Sequence, residues 1–237
     1  DQTEVVKLKE ELALKDRLAA TGAMAADIAH EIKNPLGSIS GAAQMLQRQS
    51  AKDSGEFALL GIIQEESRRL SGTLDNFLRY VKPAPLKRRC LDLRALTEEV
   101  LTLFKNDPAV AGHLQVDVLL PDLPLEACVD PDQLRQALWN LLQNARKAVP
   151  EAGLISVSLA SGGQSAILDV RDSGIGMRQS EVAGYFQPFR RGFAQGSGLG
   201  LSIVYKIMEQ HGGHIQIESA PGKGTLCRLT LPLERRP

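Results

Sequence analysis

His30, Glu31 and Asn34 fall within the stretch AADIAHEIKNPLGSISG, residues 25–41 of the chain. A helix through this stretch places His30 and Asn34 one turn apart on one face, with the Glu31 carboxylate next to the imidazole. A carboxylate can take the proton of one ring nitrogen and leave the other lone pair free to attack an electrophile. Pro35 removes the amide that would bond the Glu31 carbonyl, so the helix is expected to loosen and bend beside His30. A single histidine on a helix is ordinarily a tolerated surface residue. Its three neighbours turn it into a candidate nucleophile that another domain must approach.

A second group of chemically useful residues lies in DQLRQALWNLLQNARKAV, residues 132–149. At about 100° per residue, Leu134, Leu138, Leu141, Ala145 and Val149 share one side of a helix. Asn140, Asn144 and Lys147 gather on another. Asparagine is a poor choice inside a helix, so two in register with a lysine need a reason. Amide oxygens suit a hard cation such as Mg²⁺, and an ammonium suits the phosphates beside it; a solvated face is the alternative.

Two glycine-rich stretches follow. RDSGIGM (171–177) ends a strand with Asp172, and Gly174 and Gly176 then allow a ligand to approach the backbone closely. A buried carboxylate there can accept an exocyclic amine such as that of adenine. GSGLGLSIV (196–204) places Gly196, Gly198 and Gly200 at the start of a helix, where amides and the helix dipole make an anion site. No lysine followed by serine or threonine continues it, so it is not a P-loop. Between the two runs, residues 178–195 form a loop long enough to be a lid. It carries Arg190 and Arg191, placed either to reach phosphate oxygens or to sit in solvent.

The elements that must hold these groups divide at Pro85. Before it the chain reads as two amphipathic helices joined by the polar turn SAKDSGEF (50–57) and ended by KPAP (82–85). The seams include Ile28, Ile32, Leu36 and Ile39 on the first helix, and Ile63, Leu70, Leu74 and Phe77 on the second. An antiparallel hairpin of this kind leaves an apolar stripe wet unless a second copy covers it, so a dimeric four-helix bundle is expected. After Pro85, β-type segments at 114–120, 153–160, 166–172, 213–219 and 225–231 alternate with helices near 91–104, 131–149 and 199–211. Asp130 is predicted to cap the middle helix, with Pro131 in its first turn and Gln133 set for a capping box. The fold class read here is a helical hairpin followed by an α/β sandwich.

Composition excludes several other functions. Twenty-eight basic and 28 acidic residues in 237 cancel, so no general electrostatic grip on nucleic acid is expected. Cys90, Cys128 and Cys227 are scattered and odd in number, and they read as buried free thiols rather than a disulfide framework or zinc site. No apolar run approaches the roughly 20 residues of a membrane span. The expectation is a cytoplasmic chain, with any membrane attachment made through a segment upstream of Asp1.

Six motifs, in order, carry a resemblance. AHEIKNPLGSI, NLLQNARKA, DSGIGM, FQPF, GSGLGLSIVYKIMEQHGG and SAPGKGTL resemble the histidine, asparagine, phenylalanine and three glycine-rich boxes of two-component sensor histidine kinases. The resemblance implies a signalling linker at 1–17, a dimerising phosphoacceptor domain at 18–85 and an ATP-binding domain of the gyrase and histidine-kinase type at 90–237. It implies that His30 accepts phosphate from ATP, that Glu31 is the general base, and that Asn34 orients water when phosphate is removed from a response regulator. Asn144 would hold Mg²⁺, Lys147 the phosphates and Asp172 the adenine amine. Asn140, Gly174, Gly176, Arg190, Arg191, Gly196, Gly198, Leu199, Gly200 and Thr225 would complete the nucleotide site. The partner implied is the receiver domain of a response regulator, and the histidine box looks closest to nitrogen-regulation and pilus-type kinases. The alternative is a non-catalytic scaffold that binds nucleotide or partner only.

Overall fold

Alternation of apolar and polar residues builds the sheet of the second half. In β4 (Gly153–Ser161) and β5 (Ser165–Asp172) the inward residues are Ile155, Val157, Leu159, Ala166, Leu168 and Val170, all buried. The opposite face mixes polar residues with Leu154, Ala160 and Ile167, and there Arg228 grips the Asp169 carboxylate with two bonds of 2.8 and 2.7 Å. The structure is a computed structural model and describes residues 28–82, 85–108, 110–112, 114–149, 153–182, 184–186 and 198–233. The chain divides into two compact units, Asp1–Ala84 and Pro85–Pro237.

The first unit is a helical hairpin. Residues 28–49 are helical without interruption through Pro35 and form α1. The α2 helix runs Gly55–Val81, and the Ser54 hydroxyl accepts the Phe57 amide at its start, as an N-cap should. Lys33 of α1 pairs with Asp75 of α2, and the Gln64 amide donates to Gln47 at 2.8 Å nearer the turn. The expected seam separates into two faces. Ala29 and Ala43 are buried, whereas Ile28, Ile32, Ile39 and Leu46 on α1 and Leu59, Ile63 and Leu70 on α2 are exposed. Residues 1–17, and the seam positions before Ile28, lie outside the described residues.

The second unit stacks helices on a five-stranded mixed sheet ordered β2-β4-β5-β7-β6, with β2 at Leu114–Leu119, β6 at His214–Ser219 and β7 at Thr225–Pro232. Only β2 and β4 are parallel; the other pairs are antiparallel. The covering helices are α3 (Leu93–Lys105), α4 (Pro131–Ala148) and α6 (Gly200–Gln210), with a short α5 at Gln179–Val182. Phe104, Leu138, Leu142, Met208 and Leu229 are among the fully buried core side chains, and Trp139 meets Phe104 edge-on.

Three local features differ from expectation. A separate two-stranded ribbon pairs β1 (Arg89–Asp92) with β3 (Glu126–Val129), two strands too short to show a hydrophobic period. That ribbon sets Cys90 opposite Cys128, and the two form a disulfide across 38 residues of sequence, correcting the reading of all three cysteines as free thiols. Cys227 alone keeps its thiol, which burial pushes up to about 12, with the Asp172 charge adding to the effect. The third difference is at the cap of α4. Asp130 accepts the amides of Asp132 and Gln133 as predicted, but its own N–H goes to His211 Nε2 at 2.9 Å instead of completing a capping box with Gln133.

Candidate functional site

His30, Glu31 and Asn34 are all exposed on α1. Ala29 is fully buried, so at about 100° per residue Ile28 turns to one side of it and His30 to the other. The apolar stripe containing Ile28 and Ile32 therefore lies on a different face from His30. The imidazole is open to approach, between the buried Ala29 and the exposed Glu31.

The other candidates collect in the second unit, around the C-terminal half of α4. Asn140 and Asn144 are half-buried on this helix and Lys147 is exposed. A side chain added at Gly200 would lie 3.5 Å from Asn144 Nδ2 and 3.7 Å from its Oδ1. The asparagine amide therefore lies against the first residue of α6. Among the described residues no side chain caps α6 at its N-cap Leu199, so the first-turn amides have capacity for an anion. Leu199 is fully buried and pins this end of the helix, and Gly198 precedes it with φ of +69°.

The Asp172 loop closes the other side. The Ile175 amide donates to the Ala148 carbonyl at 3.0 Å, and Gly174 lies so close to the end of α4 that an added Cβ would meet Ala148 Cβ at 2.8 Å. Gly176 has φ of +63°, and any side chain there would collide with the Ala220 carbonyl. Asp172 is only 8% exposed, and its Oδ1 accepts the Gly174 amide at 2.8 Å. Burial raises its pKa above the ordinary carboxylate value, while the backbone bonds of Gly174 and Thr225 pull in the opposite direction.

Thr225 is buried and pairs with Asp172 across β5 and β7. Its hydroxyl meets Ser219 Oγ at 2.9 Å, and Ser219 also accepts the Met177 amide at 2.8 Å and donates to the Gly224 carbonyl at 3.0 Å. Sequence reasoning passed over Ser219, although a serine ending a strand just before a glycine turn is a signal for such a tie. It also passed over His211, which is 3% exposed. His211 Nε2 accepts a backbone N–H, so the neutral ring carries its proton on Nδ1 and gives it to the Ile207 carbonyl at 2.7 Å. Arg190, Arg191 and Gly196 lie outside the described residues.

The residues present fit a nucleotide with its metal. Asn140 Nδ2 is buried without a hydrogen-bond partner among the described residues, an orphan on the same helix as Asn144. Among the described residues no group of three His, Cys, Asp or Glu side chains could hold a metal, so a hard cation here would rely on amide and phosphate oxygens. The geometry offers a buried carboxylate for an amine at one end and uncapped helix amides for an anion at the other.

Comparison with known proteins agrees with this division. Residues 20–85 match the His Kinase A (phospho-acceptor) domain, and residues 129–235 match the histidine kinase-, DNA gyrase B- and HSP90-like ATPase family. Sensor histidine kinase ZraS of Escherichia coli is 37% identical over 226 residues, covering 95% of this chain and 48% of ZraS. Sporulation kinase E of Bacillus subtilis is 34% identical over 238 residues, covering 99% of this chain and 32% of that kinase. The chain thus spans half the length, or less, of these curated relatives. A solved structure of histidine kinase ThkA in complex with response regulator protein TrrA superposes with a TM-score of 0.69 at 28% identity, covering 98% of this chain and 67% of the solved one. Among the described residues no helix is long and apolar enough to cross a membrane. With a phosphoacceptor domain followed by this ATPase domain, the chain belongs to the two-component sensor histidine kinases.

Proposed function

We propose that this chain is the catalytic core of a sensor histidine kinase, which phosphorylates itself on His30 from ATP and passes the phosphoryl group to an aspartate of a response-regulator receiver domain. The observation that carries the reading is His30 itself, exposed with Glu31 and Asn34 beside it, in a chain that also folds a nucleotide cradle. In the reaction, one ring nitrogen of His30 attacks the γ-phosphorus, a P–N bond forms, and the bond to the ADP oxygen breaks. The imidazole gains positive charge as it reacts, and the Glu31 carboxylate takes the proton from its other nitrogen.

In the cradle, Asp172 would accept the adenine amine, the α6 amides would hold phosphate oxygens, and Asn144 would present its amide oxygen to Mg²⁺, with Asn140 completing the nucleotide site. The ion would supply charge neutralisation on the phosphates. Lys147 is assigned to the same phosphates by the family resemblance, and Arg190 and Arg191 are assigned to them by their charge on the loop between the glycine-rich runs. The exposed stripes on α1 and α2 support a homodimer, since a second hairpin would cover them. A receiver-domain partner is supported by the relative solved together with its response regulator. Asn34, one helical turn from His30, is positioned to orient water for the reverse task, removal of phosphate from that regulator.

The test is incubation with γ-labelled ATP and Mg²⁺, followed by exposure of the labelled protein to acid and to base. Acid-labile, base-stable label that disappears in His30→Gln while ATP affinity stays within about twofold supports the assignment. Label retained by His30→Gln would move the phosphoacceptor elsewhere. Adding phosphorylated regulator and following its decay, with Asn34→Ala for comparison, tests the phosphatase role.

A further inference from the structure

The Cys90–Cys128 disulfide is positioned where the chain enters the nucleotide-binding unit. Pro85–Arg88 leads directly into β1, and its Lys87 amide donates to Asp130 Oδ2 at 2.8 Å. Arg88 reaches the Gln210 carbonyl at 3.2 Å, near the C-terminal end of α6. Strand β3 runs into Asp130, the N-cap of α4. The entering segment is therefore tied to the ends of the two helices that frame the candidate cradle.

The ribbon that carries the segment onward is short. The β1–β3 ribbon has four residue pairs and belongs to a sheet of its own, apart from the five-stranded sheet. Buried Ala127 and Val129 anchor β3 in the core, whereas Arg89 and Cys90 at the start of β1 are exposed, so β1 depends on its pairing with β3. Asp92 holds the far end, where its Oδ1 accepts the amides of Arg94 and Leu125, each at 2.9 Å. Toward the entry, the covalent link between Cys90 and Cys128 is the strongest constraint.

The bond is also reachable. Cys90 is exposed and Cys128 is half-buried. Lys87, Arg88 and Arg89 immediately precede Cys90, and their charge draws an anionic thiolate toward it. Cys227, on the five-stranded sheet with its thiol pushed up to about 12, is poorly suited to compete in exchange.

We propose that Cys90 and Cys128 form a reversible thiol–disulfide site, with small dithiols and disulfides as its reactants, whose state sets how firmly the entering segment is held to the nucleotide-binding unit. In reduction, one thiolate of a dithiol attacks Cys90 Sγ, the bond to Cys128 breaks, and Cys128 leaves as a thiolate that takes a proton. The second thiolate of the reagent then attacks its own sulfur in the mixed disulfide, releasing Cys90 and closing the reagent into a cyclic disulfide. Two electrons pass from the dithiol to the protein, and an added disulfide reverses the sequence.

The experiment uses the 237-residue chain equilibrated with set ratios of reduced and oxidised dithiothreitol, then acid-quenched and alkylated under denaturing conditions. Intact mass should show alkylation of Cys227 alone at the oxidising end and of all three cysteines at the reducing end, with a 90–128 cross-linked peptide present only in the former. Hydrogen exchange of the Arg89–Asp92 amides should be about tenfold or more faster in the reduced state, as loss of the cross-link that holds the exposed strand β1 to β3 implies. The double variant Cys90→Ser, Cys128→Ser should exchange like the reduced protein at every ratio, and Cys227→Ser should switch like the unmodified chain. Three alkylatable cysteines at all ratios, cross-links only between chains, or equal amide exchange in both states would each overturn the proposal. None of these readouts depends on kinase activity.

Discussion

His211 Nε2 accepts the backbone N–H of Asp130 at 2.9 Å, joining the C-terminal end of α6 to the N-terminal cap of α4. Burial lowers the pKa of this ring below the ordinary 6.5; the Ile207 bond opposes the shift, Arg88 adds to it and Asp130 opposes it. Since the folded pKa is depressed, the stability this ring contributes is present above pH 6.5 and is lost as pH falls through the folded value. Burial acts to raise the Asp130 pKa, but the Lys87, Gln133 and Asp132 amides outweigh it, so that carboxylate remains charged to lower pH. Acid weakening of this junction should therefore begin at His211. Trp139 is the sole tryptophan and packs on Phe104, so its fluorescence reports the second unit. Denaturant midpoints followed through it should decline below about pH 6.5. His211→Gln should flatten that decline, and His211→Ala should cost about 1–3 kcal/mol at neutral pH through the unsatisfied Asp130 amide. An unchanged pH profile in His211→Gln would separate the acid response from this ring.

Asp172 should show opposite effects on stability and on binding. Its folded pKa is raised by burial, so its contribution is fully present below the ordinary carboxylate pKa and is lost as pH rises through the raised value. At neutral pH the unliganded unit holds a buried charge. Asp172→Asn keeps an oxygen for the Gly174 amide and removes that charge, so the nucleotide-free melting temperature should rise. The same change places a donor beside the adenine amine and should weaken ATP by about 1.5–3 kcal/mol, roughly tenfold or more. Calorimetry without nucleotide and titration with ATP read the two effects separately. Unchanged ATP affinity would remove Asp172 from the adenine site.

The exposed stripes on the hairpin predict assembly. Ile32 is 44% and Leu70 is 52% exposed in the single chain, with Ile39 and Ile63 continuing the two rows. Sedimentation of the whole chain should give a dimer, and Leu70→Asp should shift it to monomer by placing an unpaired charge in the buried seam. A folded monomer for the unmodified chain at micromolar concentration would contradict the four-helix bundle.

Much of this architecture is legible in sequence because it rests on period and end signals. The five strands of the main sheet and the helices α3, α4 and α6 show the expected alternation or helical spacing, and their observed ends differ from the sequence reading by at most two residues. Asp130 and Pro131 announce the start of α4 without any tertiary information. What could not be read depends on long-range pairing. Strands of four residues such as β1 and β3 have too little period to detect, so the opposition of Cys90 and Cys128 was hidden as well. The His211 acceptor for Asp130 lies 81 residues away, and local rules assigned that role to Gln133. On α1, helical periodicity marks the apolar residues but does not divide the sheltered ones from the exposed ones, so half-buried Leu36 and exposed Ile32 fall on one seam.

Ser219 should matter to nucleotide binding although it has no ligand role in the proposed mechanism. One hydroxyl can donate once and accept twice. Here it donates to the Gly224 carbonyl and accepts the Met177 amide and the Thr225 hydroxyl, which uses its full capacity. It therefore ties the end of the Asp172 loop to the turn before Thr225 and fixes which way the Thr225 proton points. Ser219→Ala leaves a part-buried amide unsatisfied and frees that threonine hydroxyl, at a cost of about 1–3 kcal/mol in stability. ATP affinity should fall as well, because Asp172 and Thr225 sit on the two strands this contact aligns. Ser219→Thr keeps the hydroxyl and should recover most of both losses. Affinity that falls in Ser219→Ala by no more than the accompanying fraction of unfolded protein would reduce Ser219 to a packing residue. A separate loss, measured by ATP titration at a temperature where both variants are fully folded, would establish that it positions the site.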